Sequence, residues 1–368
     1  MSLKARLEAA LTPALAAAGL PGATALVVDA DGVRAEAALG YAPDAVFELA
    51  SMTKAIVSVA ALQLVESGQL SLNEPLADLL PALAAPMVLE RFEGDQPLLK
   101  PAKTPLTLKH LLTHTSGFGY SFVQADIVRM CGLAAPGTMA SITMPLLFEP
   151  GTSWAYGVSH DWVGLAVAAA SNMPLDKYLA AHVLGPLGMT KTRYGGTTVA
   201  TMQRAEDGSL TPRMGFSMNR PHAEFVPGGA GLCSPAGDYG RFLRMLLNHG
   251  ELDGQRLLSP AMAAAFAQNQ VGTLPAGRLQ TCLPWLNAGF DPAPGQRCGW
   301  GLGTAVHLQN GPNGRRAGSM SWAGIANTHF WVDPAAGLGA VLMMQLLPFG
   351  DAGALEVLKK FEQTIYAA

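Results

Sequence analysis

A serine hydroxyl and a lysine amine held one helical turn apart can work as a nucleophile and its proton acceptor. Ser51-Met52-Thr53-Lys54 offers that pair. Met52, Ile56, Val59, Ala60 and Leu64 recur at helical spacing and Gly68 marks an end, so the spacing predicts a helix beginning at Ser51. Residues three apart on a helix share a face, which brings Lys54 beside Ser51. Ser51 follows the strand-like stretch 47–50, so its hydroxyl would sit among the unpaired N–H groups and positive dipole end of a helix N-terminus. A lysine at that distance is one of the ways a weakly acidic hydroxyl becomes a nucleophile. Serine is also a common helix cap and lysine is frequent in first turns, so the pair needs companions before it means catalysis.

Two segments supply them. In 148–159, a Pro150-Gly151 turn and the aromatic pair Trp154 and Tyr156 lead to Tyr156-Gly157-Val158, just ahead of the apolar helix expected at 162–171. In 318–334, a glycine-bearing strand start carries Trp322-Ala323-Gly324-Ile325 and turns into a second strand, followed by another at 338–345. A tyrosine can supply a proton-handling phenol, and a strand end can supply a backbone N–H for an oxyanion hole.

With these residues in place, the chain resembles the serine β-lactamase and penicillin-binding-protein superfamily, specifically its class C branch and the related family VIII carboxylesterases. Ser51-Met52-Thr53-Lys54 matches the S-x-x-K motif and Tyr156-Gly157-Val158 the Tyr-x-Asn position. Trp322-Ala323-Gly324 falls where β-lactamases carry Lys-Thr-Gly and family VIII esterases Trp-Gly-Gly. The segments 111–118, 185–189 and 228–232 add to the match, which runs from about residue 20 to the C-terminus. The resemblance implies Ser51 as nucleophile, Lys54 as its partner, Tyr156 as general base and acid, and an oxyanion hole built from the N–H groups of Ser51 and Ile325. It also implies a site without a metal or cofactor.

The departures from that pattern carry information. Val158 replaces an asparagine that contacts the β-lactam side chain, and Trp322 replaces a lysine that helps bind a substrate carboxylate. Both changes leave an apolar wall and point to ester hydrolysis rather than efficient β-lactam hydrolysis. The expected activity is therefore a carboxylesterase acting on small, short-acyl esters through a Ser51 acyl-enzyme. The alternatives are a β-lactamase, a D-amino-acid amidase or peptidase, an acyltransferase, or a non-catalytic penicillin-recognising protein. Either Lys54 or Tyr156 can take the serine proton first, since a free tyrosine needs a neighbouring cation to act as a base at neutral pH. Tyr120 and Gln124, together with Trp322, Gly324 and Val158, are expected to bind substrate. His114 is expected to tie a loop together, and His329 to pack away from the site.

Rival motifs fail. No serine has glycine at both −2 and +2, so the nucleophile elbow of α/β-hydrolases is missing. No His-Glu-x-x-His or Cys-x-x-Cys spacing occurs. Gly299-Trp300-Gly301-Leu302-Gly303 lacks the following helix of a nucleotide loop and reads as a glycine-bearing strand.

The elements that must position these groups are legible in outline. With 368 residues, 49% apolar and only 14% charged against about 25% in an average protein, the chain can bury a large core. Its net charge of −3 gives no electrostatic case for nucleic acid or an anionic membrane; the partner that the resemblance implies is a small-molecule ester. Oligomeric state is not legible. Cys131, Cys233, Cys282 and Cys298 are irregularly spaced, so a reducing, cytoplasmic setting is the expectation, with a periplasmic or secreted one if the N-terminus is processed. Glu8, Pro13, Gly19, Pro21 and Gly22 break any long apolar N-terminal helix; a short amphipathic helix and then a strand are expected there.

Strands are expected at about 23–29, 34–40, 302–308, 327–333 and 338–345, with a helix at 351–366 and loops at 81–105, 195–231 and 272–299. The fold class that follows is α/β (α+β). An antiparallel sheet flanked by helices is built from 1–80 and 226–368, with a mainly helical unit at 81–225 inserted and the site in the cleft between them.

Overall fold

Residues Ala23–Asp29 (β1) read Ala-Thr-Ala-Leu-Val-Val-Asp, apolar and β-branched almost throughout, and such a run suits a strand covered on both faces. In the computed structural model, which describes residues 1–213, 217 and 223–367, β1 is such a strand. It joins Val33–Leu39 (β2), Cys298–Trp300 (β3), Ala305–His307 (β4), Met320–Gly324 (β5), Thr328–Asp333 (β6) and Leu338–Met343 (β7) in one sheet. The strand order is β3-β4-β5-β6-β7-β1-β2, every neighbouring pair antiparallel. The two ends of the chain thus meet where β1 pairs with β7, Thr24 opposite Met343 and Asp29 opposite Leu338.

The main helices are Leu3–Ala17 (α1), Thr53–Glu66 (α2), Ser159–Ser171 (α3), Ala236–Leu247 (α4) and Ala352–Tyr366 (α5). Strand alternation sorts the sheet into two faces. Ala25, Val27, Trp331, Ala340 and Leu342 meet Leu7, Leu11 and Leu15 of α1 and Val357 and Phe361 of α5. Leu26, Val28, Phe330, Val332 and Val341 join a second core with α2, α3 and α4. Antiparallel strands and flanking helices therefore form the mixed α/β architecture expected. No helix among the described residues is long and apolar enough to cross a membrane.

Helix α2 is buried around most of its circumference, Lys54 and Ser58 included, because it lies between the sheet and the helical unit rather than on a surface. It packs against α3 and against Leu175–Leu179. The helical unit also includes Leu108–Leu112 and Ala125–Cys131.

Four local expectations need correction. The helix starts one turn differently: Ala50–Met52 forms a 3₁₀ turn and the α-helix proper begins at Thr53. The N-terminal helix and following strand are as expected, and α1 carries Pro13 on its exposed side, where a lost backbone bond costs least. The stretch 81–105 is not a loop throughout. It carries the hairpin Met87–Glu93/Gln96–Pro101, turned at Gly94, whose φ is 58°. The stretch 195–231 holds the short pair Met202–Arg204/Leu210–Pro212, while residues 214–216 and 218–222 lie outside the described ones. Prolines at strand ends and on edge strands, where no ladder bond is needed, made both regions read as loops. The strand at 302–308 shortens to Ala305–His307, and Gly299 lies on β3 as expected.

Candidate active site

The strand Phe47–Glu48 and the turn that follows deliver Ser51 beside β5, an interior strand of the sheet. Ala50 takes φ 45°, a left-handed conformation unusual for a residue with a side chain. That kink stands immediately before the nucleophile and swings the chain from strand into helix. Gly324, at the end of β5, lies against this turn. A Cβ there would overlap the Leu49 carbonyl oxygen and Thr328 Oγ1, so only glycine lets β5 approach so closely. Ile325 is the first residue of the turn that follows Gly324. Backbone N–H groups from a helix start and a strand end are suited to a developing oxyanion.

Lys54 is fully buried, and its amine is the hub of the site. Nζ lies 3.1 Å from Ser51 Oγ, 3.2 Å from the Tyr120 hydroxyl and 2.7 Å from the Gly229 carbonyl oxygen. An ammonium has three protons and meets three acceptors here. A neutral amine in the same place accepts the Ser51 proton and still donates to Gly229 and Tyr120. One geometry therefore serves both protonation states, as a base that cycles between them requires.

Tyr156 is also buried, with its ring centroid 4.9 Å from Lys54 Nζ. Its hydroxyl accepts a 2.9 Å hydrogen bond from Trp322 Nε1. The indole N–H thus supplies a neutral donor to the phenol. The ring is wedged among Trp322, His114 and Tyr120, at centroid distances of 4.9, 4.8 and 5.3 Å. Of the two tyrosines, Tyr120 contacts the lysine through its hydroxyl and Tyr156 through its ring face. Burial pushes the Tyr120 phenol well above its ordinary value, and the Asp161 carboxylate and Tyr156 add to that.

Behind the lysine, Asp161 in the first turn of α3 accepts the N–H groups of Gly228 and Gly229, the latter at 2.9 Å. The carboxylate thus holds Gly229, the residue whose carbonyl accepts from Lys54. Burial raises the Asp161 carboxyl, while Lys54 and the two N–H donors pull it the other way. Ser58, one turn after Lys54, donates to the Lys54 carbonyl and sits 3.0 Å from His160 Nε2. His114 Nδ1 accepts the Gly157 N–H at 3.3 Å and its carbonyl accepts the Ala155 N–H, so His114 ties the 113–117 loop to the Tyr156 loop. Burial holds both His114 and His160 well below the usual histidine range.

A cavity of about 320 Å³ opens beside these groups. Tyr120, Val158, Gly229 and Ile325 line it, with Phe122, Ile127, Met144 and Phe225 among its apolar walls. Gln124 does not line it; its Oε1 accepts the Tyr120 N–H at 2.8 Å and so sets the position of Tyr120. Trp322 and Gly324 act from behind, through Tyr156 and the Ser51 turn. His329 pairs with Ala323 across the hairpin, on the opposite sheet face from Trp322, and packs near Phe290 and Phe349. Among the described residues no group of three or more His, Cys, Asp or Glu could hold a metal ion.

The residues that sequence reasoning missed are Asp161 and the Gly229 carbonyl. An acidic residue in the first turn of the helix after Tyr156 was the available signal, since carboxylates favour helix N-termini for general reasons as well.

Fold and site together fit an enzyme of the serine β-lactamase-like superfamily, which includes acyl-enzyme hydrolases and acyltransferases. The chain belongs to the family described as Beta-lactamase, which matches residues 7–361. It is 31% identical over 343 residues to monacolin J acid methylbutanoyltransferase of Aspergillus terreus, covering 87% of this chain and 81% of that one. It is 32% identical over 348 residues to lovastatin esterase of Penicillium rubens, covering 88% and 85%. Among solved structures it is similar to unliganded simvastatin synthase (LovD) of Aspergillus terreus, with TM-score 0.81, 27% identity, and coverage of 100% of this chain and 98% of that one. EstCE1, a hydrolase with promiscuous acyltransferase activity, shares the fold at TM-score 0.78 and 20% identity, covering 99% and 98%.

Proposed function

We propose that this protein is a carboxylesterase that cleaves small, short-acyl esters through Ser51. The observation that carries this reading is the Ser51–Lys54 contact of 3.1 Å beside an apolar cavity, with the neutral Trp322 indole bonded to Tyr156 where a lysine would favour β-lactam recognition. Ser51 Oγ attacks the ester carbonyl as its proton passes to the Lys54–Tyr156 pair, and the Ser51 and Ile325 N–H groups receive the oxyanion. Collapse breaks the bond to the alkoxy group, which leaves as an alcohol with that proton. Water then adds to the acyl-enzyme, releasing the acid and returning the proton to Ser51.

Acyl transfer is the second reading, favoured by the relatives named as acyltransferases. In that case an alcohol takes the place of water at the second step. The fork is decided by adding a primary alcohol during hydrolysis of p-nitrophenyl butyrate and measuring ester against acid product. The reading as a whole is tested by intact-mass detection of a butyryl or fluorophosphonate adduct mapped to Ser51, and by loss of roughly 10³-fold or more in kcat for Ser51→Ala. Near-wild-type turnover by Ser51→Ala overturns it. Comparison with a chromogenic cephalosporin should favour the ester by about a hundredfold in kcat/KM, because two charged or polar recognition groups worth about 1.5–3 kcal/mol each are replaced by Val158 and Trp322. Comparable values would place the substrate class elsewhere.

A further inference from the structure

The cavity wall is apolar with two charged exceptions among the described residues, Asp161 and Arg213. Asp161 is committed to the Gly228 and Gly229 N–H groups. Arg213 is not committed. It is exposed, and its guanidinium hydrogen-bonds to no acceptor and pairs with no carboxylate among the described residues. What holds it is Trp285, whose ring centroid lies 5.3 Å from the guanidinium carbon.

Both partners are anchored by their backbones from separate segments. The Arg213 N–H donates to the Thr201 carbonyl, and the Trp285 carbonyl accepts Gln203 Nε2. Trp285 is itself 49% exposed, a large aromatic surface left at the mouth of an apolar cavity. A planar guanidinium laid on an aromatic face, with its fork of donors unsatisfied, is suited to a carboxylate.

We infer that the substrates of this enzyme carry a carboxylate on the end that projects from the cavity, bound by Arg213 against Trp285. The inference rests on the acyl-enzyme reading of Ser51 and narrows its substrate class. The carboxylate can belong to the acyl group or to the alcohol, and two matched pairs separate these sources. For the acyl side, hydrolysis of p-nitrophenyl hydrogen adipate is compared with that of p-nitrophenyl heptanoate. For the alcohol side, 4-(hydroxymethyl)benzoate is compared with 4-methylbenzyl alcohol as acceptor of a butyryl group from p-nitrophenyl butyrate.

The readout is the ratio of kcat/KM for the charged over the neutral member. Arg213→Gln should lower that ratio by about fivefold to tenfold in one arm, through KM, as expected for a charge pair partly open to water. Arg213→Lys should retain part of the preference, and raising salt should shrink it in the wild-type protein. A ratio unchanged by Arg213→Gln in both arms overturns the inference while leaving the acyl-enzyme intact. Absence of turnover of both the charged and the neutral ester by the wild-type protein overturns the acyl-enzyme reading beneath it, and this inference with it.

Discussion

Replacing Tyr120 by phenylalanine removes one hydroxyl, 3.2 Å from Lys54 Nζ, and leaves the ring that packs on Phe122 and Tyr156 at 4.8 and 5.3 Å. Lys54 keeps Ser51 Oγ and the Gly229 carbonyl as partners. A hydrogen bond to a charged group contributes about 1.5–3 kcal/mol, and Tyr120 borders the cavity, so water can occupy the vacated place and hold the loss near the lower figure. That corresponds to about a tenfold fall in kcat.

Tyr156→Phe acts differently. It removes the phenol that passes the proton, for an expected loss of roughly 10³-fold or more. It also leaves the buried Trp322 N–H without its acceptor, at about 1–3 kcal/mol of stability. Stopped-flow hydrolysis of p-nitrophenyl butyrate separates the acylation burst from steady-state deacylation, and thermal melts report the stability difference. A Tyr120→Phe protein that loses its burst while Tyr156→Phe keeps it would exchange the roles of the two tyrosines and refute this reasoning.

Asp161→Asn keeps an oxygen for the Gly229 N–H but removes the charge behind Lys54; kcat should fall about tenfold with the fold intact by circular dichroism, and an unchanged kcat would show that the carboxylate only positions the loop. Gly324→Ala forces β5 away from the Leu49–Ser51 turn, so activity should drop by about 10²-fold or more, with roughly 1–3 kcal/mol lost in stability; a fully active variant would remove Ile325 from the oxyanion hole. His114, His160, His307 and His329 are all held below the usual histidine value, mainly by burial, the last two down to about 3. The unfolded chain therefore binds protons that the folded one does not, so stability is full above about pH 6.5 and is lost as pH falls below it. The loss is at most roughly 1.4 kcal/mol per pH unit for each histidine. Melting temperatures measured from pH 7.5 to 4.5 should fall steeply below pH 6.5, and a flat profile to pH 5 would contradict the assigned neutral state.

The Ser51–Lys54 pair was legible in the sequence because its geometry is local: three residues of helix place the two side chains on one face whatever surrounds them. The strands expected at 23–29 and 338–345 were legible for a related reason, since short, mainly apolar runs bounded by turn residues suit a buried strand, and the second ends at Met343. The family resemblance tied Tyr156 and Trp322 to the same site by their matching motifs.

What tertiary packing decided was how those groups meet. Trp322 and Tyr156 are 166 residues apart, and whether the indole N–H reaches the phenol depends on the relative placement of β5 and the loop before α3. The same holds for Tyr120, whose hydroxyl meets Lys54, and for Gln124, which turned out to hold the Tyr120 backbone. Asp161 and the Gly229 carbonyl were invisible because a backbone acceptor leaves no mark in the residue type and an acid in a first helical turn is ordinary. The hairpin at 87–101 was hidden because proline is tolerated at strand ends and edges that only the folded arrangement creates. Periodicity and short spacing follow from the covalent chain, whereas the direction of a buried hydroxyl follows from which distant surfaces close around it.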